Sequence, residues 1–217
     1  MYTLEIIQDS DPENPRTAYG NLGTMTCFHR RYRLGDKHDI KHEDFNSWDE
    51  LEQYLIESGK AEVILPLYLY DHSGITISTT PFNDRFDSGQ VGFVWISLET
   101  IENEAPDGVN ALEWAKDQLL AEVLTYDQFL TGDVWGYVIK DSHGDEVDSC
   151  WGFYGEDVAK QEGEAAMACM KPEMDPLRDL TEKWRDKAKV AKENGDAISA
   201  LMLISCSQDL DAVRANL

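Results

Sequence analysis

Apolar residues, many of them β-branched or aromatic, are densest between Ile64 and Ile96, where basic charge is also scarce, and this stretch predicts three antiparallel strands. The predicted strands are Val63–Tyr70, Ile75–Thr80 and Gln90–Ile96. Polar turns separate them, so we expect a meander at the centre of the fold. Pro66 lies inside the first strand and predicts an edge position or a β-bulge, because proline cannot donate a ladder hydrogen bond.

Helical periodicity appears on both sides of the meander. Ser47 and Glu50 form a capping-box pattern ahead of an apolar helix face, and Gly59 ends that helix. A longer amphipathic helix is expected between Asn110 and Gly132. The other predicted elements are strands at Tyr2–Gln8 and Thr24–Arg33, a hairpin from Val134 to Tyr154, and a helix from Gly155 to about Met170.

Pro172 and Pro176 mark a change of composition. Beyond them, two helices joined at Asn194 and Gly195 predict a helical hairpin of nearly neutral charge. Its apolar run, which consists of Ile198, Leu201, Met202 and Ile204, indicates packing on the main domain or self-association, with a homodimer as one outcome. The sequence therefore predicts an α+β fold in which an antiparallel sheet, a meander plus a hairpin, packs with helices over residues 1–170. Residues 171–217 are expected to form a C-terminal helical hairpin appendage.

The formal charge of −23 is concentrated in the middle of the chain, where residues 61–170 carry 21 acidic and 4 basic side chains. Such a field repels nucleic acid and anionic membranes and attracts basic surfaces, so we expect no direct binding to nucleic acid or membranes. One interpretation is that the acidity only keeps the protein in solution. The other is that it occupies the basic cleft of a protein that binds nucleic acid.

Carboxylates on the two central helices are the candidate partner-binding residues. On the helix after Asn110 we expect them to form one stripe opposite the apolar face, where repulsion costs a few tenths of a kcal/mol per close pair. A partner or solvent must offset this repulsion. The candidates are Glu113, Asp117, Glu122, Asp127, Glu156, Asp157, Glu162 and Glu164.

Catalytic signals are weak. Two adjacent turns carry potential metal ligands, although turns recruit such residues for backbone reasons as well; these residues are Asp71, His72, Asp84 and Asp87. His143 and Cys150 are a possible base and nucleophile, but they flank a predicted tight turn and lack an orienting third group. Phosphate-binding loops, nucleophile elbows and dinucleotide fingerprints are missing from the sequence. We expect neither an enzyme nor a cofactor.

Three further groups of residues have two interpretations each. Arg30, Arg31 and Arg33 either contact a partner or pair with the protein's own carboxylates, and internal pairing is the prediction. The aromatic residues of the sheet form either core or an exposed contact patch; they are Trp95, Trp135, Trp151, Phe153 and Tyr154. The cysteines show no metal-binding or disulfide spacing and are expected to be buried free thiols; they are Cys27, Cys150, Cys169 and Cys206.

The N-terminal sequence MYTLEIIQDSDPENP has no basic region followed by an apolar run, and no later stretch reaches the roughly 20 apolar residues of a membrane span. We therefore expect a soluble cytoplasmic protein.

The strings LPLYLYDHSG, FDSGQVGFVW, LTGDVWGY and DSCWGFYG occur in this order. Over about residues 61–160 the chain resembles a family of acidic proteins found in bacteriophages, prophages and other mobile elements. The resemblance implies no catalytic residue. It implies a genomic setting in which small acidic proteins often act against host defences, some of them by mimicking DNA.

Charge and resemblance together predict an anti-CRISPR or anti-restriction protein. It would bind a host nucleic-acid-binding complex and block its nucleic-acid site by acidic competition. The first alternative is a non-enzymatic regulatory module of a phage that binds its partner through an aromatic surface. A third hypothesis is a metal-dependent hydrolase at the two turns.

Overall fold

The computed structural model describes residues 2–84, 86–170 and 176–214. Its strands are β1 (Thr3–Gln8), β2 (Thr24–Cys27), β3 (Val63–Asp71), β4 (Ile75–Ser78), β5 (Ser88–Ile96), β6 (Val134–Lys140) and β7 (Glu146–Tyr154). Its helices are α1 (Pro15–Ala18), α2 (Trp48–Glu57), α3 (Leu98–Glu104), α4 (Ala111–Thr131), α5 (Glu156–Cys169), α6 (Pro176–Glu193) and α7 (Ala197–Arg214). Arg85 and the predicted boundary at Pro172 lie outside the described residues.

The strands form two antiparallel sheets, one with the order β2-β5-β3-β4 and one with the order β1-β6-β7. The α+β prediction is confirmed. The predicted meander is wrong in its order, because β3 lies between β5 and β4, whereas a meander would place β4 in the middle. The predicted hairpin is also not part of this sheet, because β6 and β7 pair with each other and with β1.

Pro66 occupies the position that its chemistry requires. It lies in the part of β3 that precedes the pairing with β4, which starts at Tyr68, and the register with β5 shifts between Leu67 and Tyr68. An unpaired edge and a bulge both accommodate a residue that has no N–H to donate. The prediction for Pro66 is confirmed.

The larger sheet is covered by a helix on each face. Successive side chains of a strand point to opposite faces, so Val94 packs in one core cluster with Leu119 of α4, while Phe93 packs in another with Leu51 and Leu55 of α2. The capping box of α2 is present: the Glu50 amide donates to Ser47 Oγ at 3.2 Å. Its reciprocal arm binds the amide of Asn46, one residue earlier than the motif specifies.

The smaller sheet is packed by α5, which contacts all three of its strands. Gly163 makes this packing close, since a Cβ there would lie 2.7 Å from Leu4 Cδ1 and 3.0 Å from Tyr137 Cβ. The absence of a side chain at this position therefore sets the distance between helix and sheet.

The C-terminal helices α6 and α7 pack together as an antiparallel hairpin, as predicted. The turn between them includes Gly195, whose φ of 79° lies in the left-handed region that favours glycine. Within the described part of the chain, the structure contains no helix with both the length and the apolar character required to cross a membrane.

A buried guanidinium connects the N-terminal segment to the core. Arg16, in α1, is 7% exposed, and its Nε and Nη2 donate to both oxygens of Asp36 at 3.0 and 2.5 Å. Its Nη1 donates to Glu122 Oε2 at 2.6 Å, and Nη2 also donates to the carbonyl of Gly23 at 2.7 Å. Burial lowers the pKa of Arg16, but the hydrogen bonds and charges of Asp36 and Glu122 outweigh burial and raise the pKa above its ordinary value.

Both carboxylates of this network also accept backbone hydrogen bonds. Asp36 accepts from the amide of Met25 at 2.7 Å. Glu122 accepts from the amides of Leu22 and Gly23 at 2.7 and 3.1 Å. The chain leaves the sheet after Cys27 and returns to place Asp36 beside Met25, so the predicted strand Thr24–Arg33 is wrong beyond residue 27.

The Arg16→Leu variant should lose about 3 to 5 kcal/mol in its free energy of unfolding, because it leaves two partly buried carboxylates without their cation. Arg16→Lys should lose less, since it keeps the charge but not the bidentate geometry. Urea denaturation followed by circular dichroism measures both changes.

The matched control is Arg33→Leu, which removes an exposed arginine from the adjacent loop. We expect its unfolding free energy to change by less than about 0.5 kcal/mol. Equal losses in the Arg16→Leu and Arg33→Leu variants would contradict a structural role for the Arg16 network.

Candidate functional site

The carboxylates proposed for α4 do not share one face. Nine residues separate Glu113 from Glu122, and at 100° per residue this is half a turn of the helix. Glu113 and Asp117 are exposed, whereas Glu122 faces α1 and binds Arg16. The prediction that Glu122 belongs to an outward-facing stripe is wrong.

Asp127 is also an internal residue. Its Oδ1 accepts the hydroxyl of Thr76 at 2.5 Å and the backbone amide of Ile77 at 2.7 Å. Both donors lie on β4, an edge strand, so Asp127 connects the C-terminal half of α4 to the edge of the larger sheet. The prediction that Asp127 belongs to an outward-facing stripe is wrong for this reason.

The outward charge of this region comes instead from α3 and the first turns of α4, which contact each other. We call this patch the α3–α4 acidic surface, and all of its members are exposed. They are Glu99, Glu102, Glu104, Asp107, Glu113 and Asp117. The first four were missed in the sequence analysis, although four carboxylates within nine residues without a cation are a visible signal.

None of the six carboxylates forms an ion pair with another described residue. Lys116 is the only basic residue between positions 86 and 139. At physiological salt the field of exposed charges is screened beyond about 8 Å. The α3–α4 acidic surface therefore presents an excess of negative charge at short range, with six carboxylates against the single cation Lys116.

A second group of acidic residues lies on α5. Glu156, Asp157, Glu162 and Glu164 are all exposed, as a partner-binding role requires. Glu156 and Asp157 also lie in the first turn, where carboxylates interact favourably with the helix dipole. Because α5 packs on the smaller sheet and α4 on the larger one, the eight predicted carboxylates belong to two layers of the fold.

The prediction that the arginines of the cluster pair with the protein's own carboxylates is confirmed for Arg31. Arg31 pairs with Asp71, which also accepts from the hydroxyl of Tyr32 at 3.3 Å. Arg30 and Arg31 line an open groove of about 820 Å³, together with Asp71 and Asp87. Both signs of charge face this groove, so it offers no strong preference for a charged ligand.

Four of the five aromatic residues proposed for a contact patch are partly buried and have partners within the fold. The indole N–H of Trp95 donates to Thr26 Oγ1 at 3.0 Å, and that of Trp135 donates to Asp133 Oδ1 at 2.7 Å. Phe153 stacks on Tyr137, and the hydroxyl of Tyr154 donates to a backbone carbonyl.

Of the five aromatic residues proposed for a contact patch in the sequence, only Trp151 is exposed, at 46% of its surface. Its ring lies over Gly136 of the neighbouring strand, where a Cβ would come within 2.4 Å of the ring. The predicted aromatic patch is thereby reduced to one residue.

The two turns proposed as a metal site use their side chains for other contacts. The amides of Asp87 and Phe86 donate to Asp84 and lower its pKa. His72 Nδ1 lies 2.8 Å from Asp87 Oδ2, while Asp71 binds Arg31. Among the described residues no group of three His, Cys, Asp or Glu side chains is placed to hold a metal ion.

The proposed pair of His143 and Cys150 has no support in the geometry. The amide of His143 donates to Asp141 Oδ1 at 2.9 Å within the turn, and Cys150 lies in β7 opposite Tyr137. Among the described residues no hydrogen bond joins the imidazole to the thiol. We do not propose a nucleophile here.

All four cysteines are free, but Cys27 alone is buried, so the prediction of four buried thiols is wrong for Cys150, Cys169 and Cys206. Burial, reinforced by the charge of Asp36, raises the pKa of Cys27 to about 12.

Cys27 should therefore resist alkylation in the folded protein at about pH 8.5, because both its accessibility and its thiolate fraction are low. The three exposed cysteines should react with iodoacetamide under the same conditions. Peptide mass spectrometry of time points measures each site, and urea-unfolded protein, in which all four should react, is the control. Alkylation of Cys27 as fast as Cys150 in the folded protein would contradict this assignment.

Comparisons of the chain with protein-family models, with curated proteins and with solved structures found no match. A function for the protein therefore has to be argued from its own surfaces.

Proposed function

We propose that this protein inhibits a host nucleic-acid-binding complex of the restriction or CRISPR type by occupying its nucleic-acid site. The observation that supports the proposal best is the α3–α4 acidic surface, which carries six exposed carboxylates without an ion pair among the described residues. The acidic face of α5 contributes further charge. In this proposal the protein serves a phage or another mobile element against host defence and catalyses no reaction.

The mechanism is competition between carboxylates and phosphates. Duplex DNA presents about one negative charge per 1.7 Å of its axis, so proteins that grip it have basic clefts. A surface of clustered carboxylates complements such a cleft and speeds association with it. Binding of this kind weakens as the salt concentration rises, because salt ions screen the charges of both partners.

The internal carboxylates support this role indirectly. Glu122 binds Arg16 and Asp127 binds β4, so α4 is fixed at both edges of its buried face. Glu113 and Asp117 project from the opposite face of the same helix. A rigid element that holds its charges in place loses less entropy on binding than a flexible acidic tail.

Reversal of four surface charges should abolish capture of the target. The variant combines Glu102→Lys, Glu104→Lys, Glu113→Lys and Asp117→Lys, which replaces the negative surface by a positive one that a basic cleft repels. We expect at least a tenfold loss, equal to about 1.4 kcal/mol or more. The measurement is a pull-down from bacterial host lysate with quantitative mass spectrometry, followed by competition with DNA for the purified captured complex in mobility-shift assays.

The control variant carries the same change of net charge on scattered exposed positions, namely Glu43→Lys, Glu57→Lys, Asp186→Lys and Glu193→Lys. It should retain binding, because the proposal concerns the array and not the total charge. Excess duplex DNA in the wash should release the target from the wild-type protein. Capture that survives both DNA and the surface variant would rule out the mimic mechanism.

A second candidate function is binding through β7. This strand lies at the edge of the smaller sheet, and Val147 and Trp151 on it are each nearly half exposed. Exposed apolar side chains on a sheet edge favour contact with another protein. This is the remaining form of the aromatic-surface hypothesis.

Ionic strength separates the two candidates. Binding through the α3–α4 acidic surface should weaken by at least about tenfold when salt rises from about 50 to 200 mM, whereas binding through Trp151 should be nearly unchanged. Conversely, Trp151→Ser should remove binding only in the second case. Affinity measured by biolayer interferometry at several salt concentrations checks both expectations, and salt-insensitive binding that Trp151→Ser abolishes would favour β7.

A further inference from the structure

The outward face of α7 carries large apolar side chains that are mostly exposed. Ile198 is 72% exposed, and Leu201 and Met202 are each 67% exposed. Spacings of three and four residues place all three on one side of the helix, and Ser205 continues the same side one turn later. We call Ile198, Leu201, Met202 and Ser205 the α7 outer face.

These side chains cannot turn into the hairpin, because the contact between α6 and α7 is already filled. Small residues occupy it: Thr181 and Ala188 on α6, Ala200 and Ser207 on α7, all of them buried. Ala200 faces inward, and a helical rotation of 100° per residue directs Leu201 and Met202 to the side and the back of α7. The exposure of the outer face therefore follows from the packing inside the hairpin.

The charge of the hairpin limits which partner suits this face. Residues 171–217 carry 8 basic and 9 acidic side chains, whereas residues 1–170 carry 11 basic and 33 acidic ones. A nearly neutral apolar face attracts neither a basic nor an acidic partner, but it complements a copy of itself.

We propose that the α7 outer face is a homodimer interface in which the α7 helices of two copies pack antiparallel about a two-fold axis. With the axis midway between Leu201 and Met202, Ile198 of one copy lies opposite Ser205 of the other. A large side chain thus faces a small one at both ends of the contact. The two hairpins together make a four-helix bundle, which buries the aliphatic side chains that each hairpin alone exposes.

Sedimentation velocity over micromolar concentrations tests the interface. The wild-type mass should rise from that of a 24.6 kDa monomer towards twice this value as concentration increases. The double variant Leu201→Glu, Met202→Glu should remain monomeric, because it places four carboxylates in the contact. A matched control, Val109→Glu with Leu124→Glu, adds the same charge at exposed apolar positions of the acidic domain and should dimerise like the wild type.

A cross-link tests the antiparallel arrangement without disturbing the hairpin. In a chain whose exposed cysteines are replaced by serine, Ile198→Cys combined with Ser205→Cys should form disulfides between copies on mild oxidation. Ser205→Cys alone should not, since the two Ser205 side chains lie on opposite sides of the axis. Non-reducing electrophoresis gives the answer.

A wild-type protein that stays monomeric at every concentration would overturn the proposal, and so would dimerisation of the Leu201→Glu, Met202→Glu variant. If the wild-type protein is monomeric and the Leu201→Glu, Met202→Glu variant melts at a lower temperature than the wild type, the face docks on its own acidic domain. This result would also overturn the proposal. Added salt should strengthen the dimer by screening the acidic domains, the opposite of its effect on the proposed inhibitory binding. The two proposals can therefore fail independently.

Discussion

The buried pairing of Arg16 with Asp36 and Glu122 is the long-range constraint that fixes the N-terminal segment and the loop after β2 on α4. One guanidinium joins the short helix α1, the loop after β2 and the middle of α4, three segments that are far apart in sequence. Its Nη2 also binds the carbonyl of Gly23, and Glu122 binds the amides of Leu22 and Gly23 in the segment before β2. Removal of charges from water is costly, but here each charge has a partner and several hydrogen bonds, which is the condition under which a buried ion pair is tolerated.

The carboxylates discussed above fall into two groups, those bound within the fold and those exposed to solvent. Glu122, Asp36 and Asp127 satisfy cations or backbone amides and hold elements together. Glu113 and Asp117 sit on the helix that these contacts fix, and they face solvent. A formal charge of −23 therefore overstates the charge that is free to meet a partner. The distribution of the exposed charges, rather than their number, distinguishes a recognition surface from a surface that is merely soluble.

Local chemistry was predictable from the sequence where it depends on neighbours along the chain. Ser47 caps α2, Gly195 forms the turn of the C-terminal hairpin, and Pro66 marks both an edge and a bulge. Long-range pairing was not predictable, because no local pattern reveals that Arg16 meets Glu122 across 106 positions or that β3 lies between β4 and β5. Glu122 could still have been separated from Glu113 by helical geometry alone, since half a turn lies between them.

Residues 1–170 carry a large excess of negative charge, whereas the C-terminal hairpin is nearly neutral, and the two proposals assign them different binding roles. In the proposed dimer, two copies joined through α7 would present two α3–α4 acidic surfaces on one particle. A defence complex that contains two basic clefts, or one long cleft, then meets the second surface at a raised effective concentration, and avidity exceeds the affinity of a single surface without any new contact. The near neutrality of the hairpin allows this arrangement, because a hairpin as acidic as the rest of the chain would repel its copy at short range. Under the two proposals, the change of composition after residue 170 separates a surface that binds a foreign partner from a surface that binds a second copy of the chain.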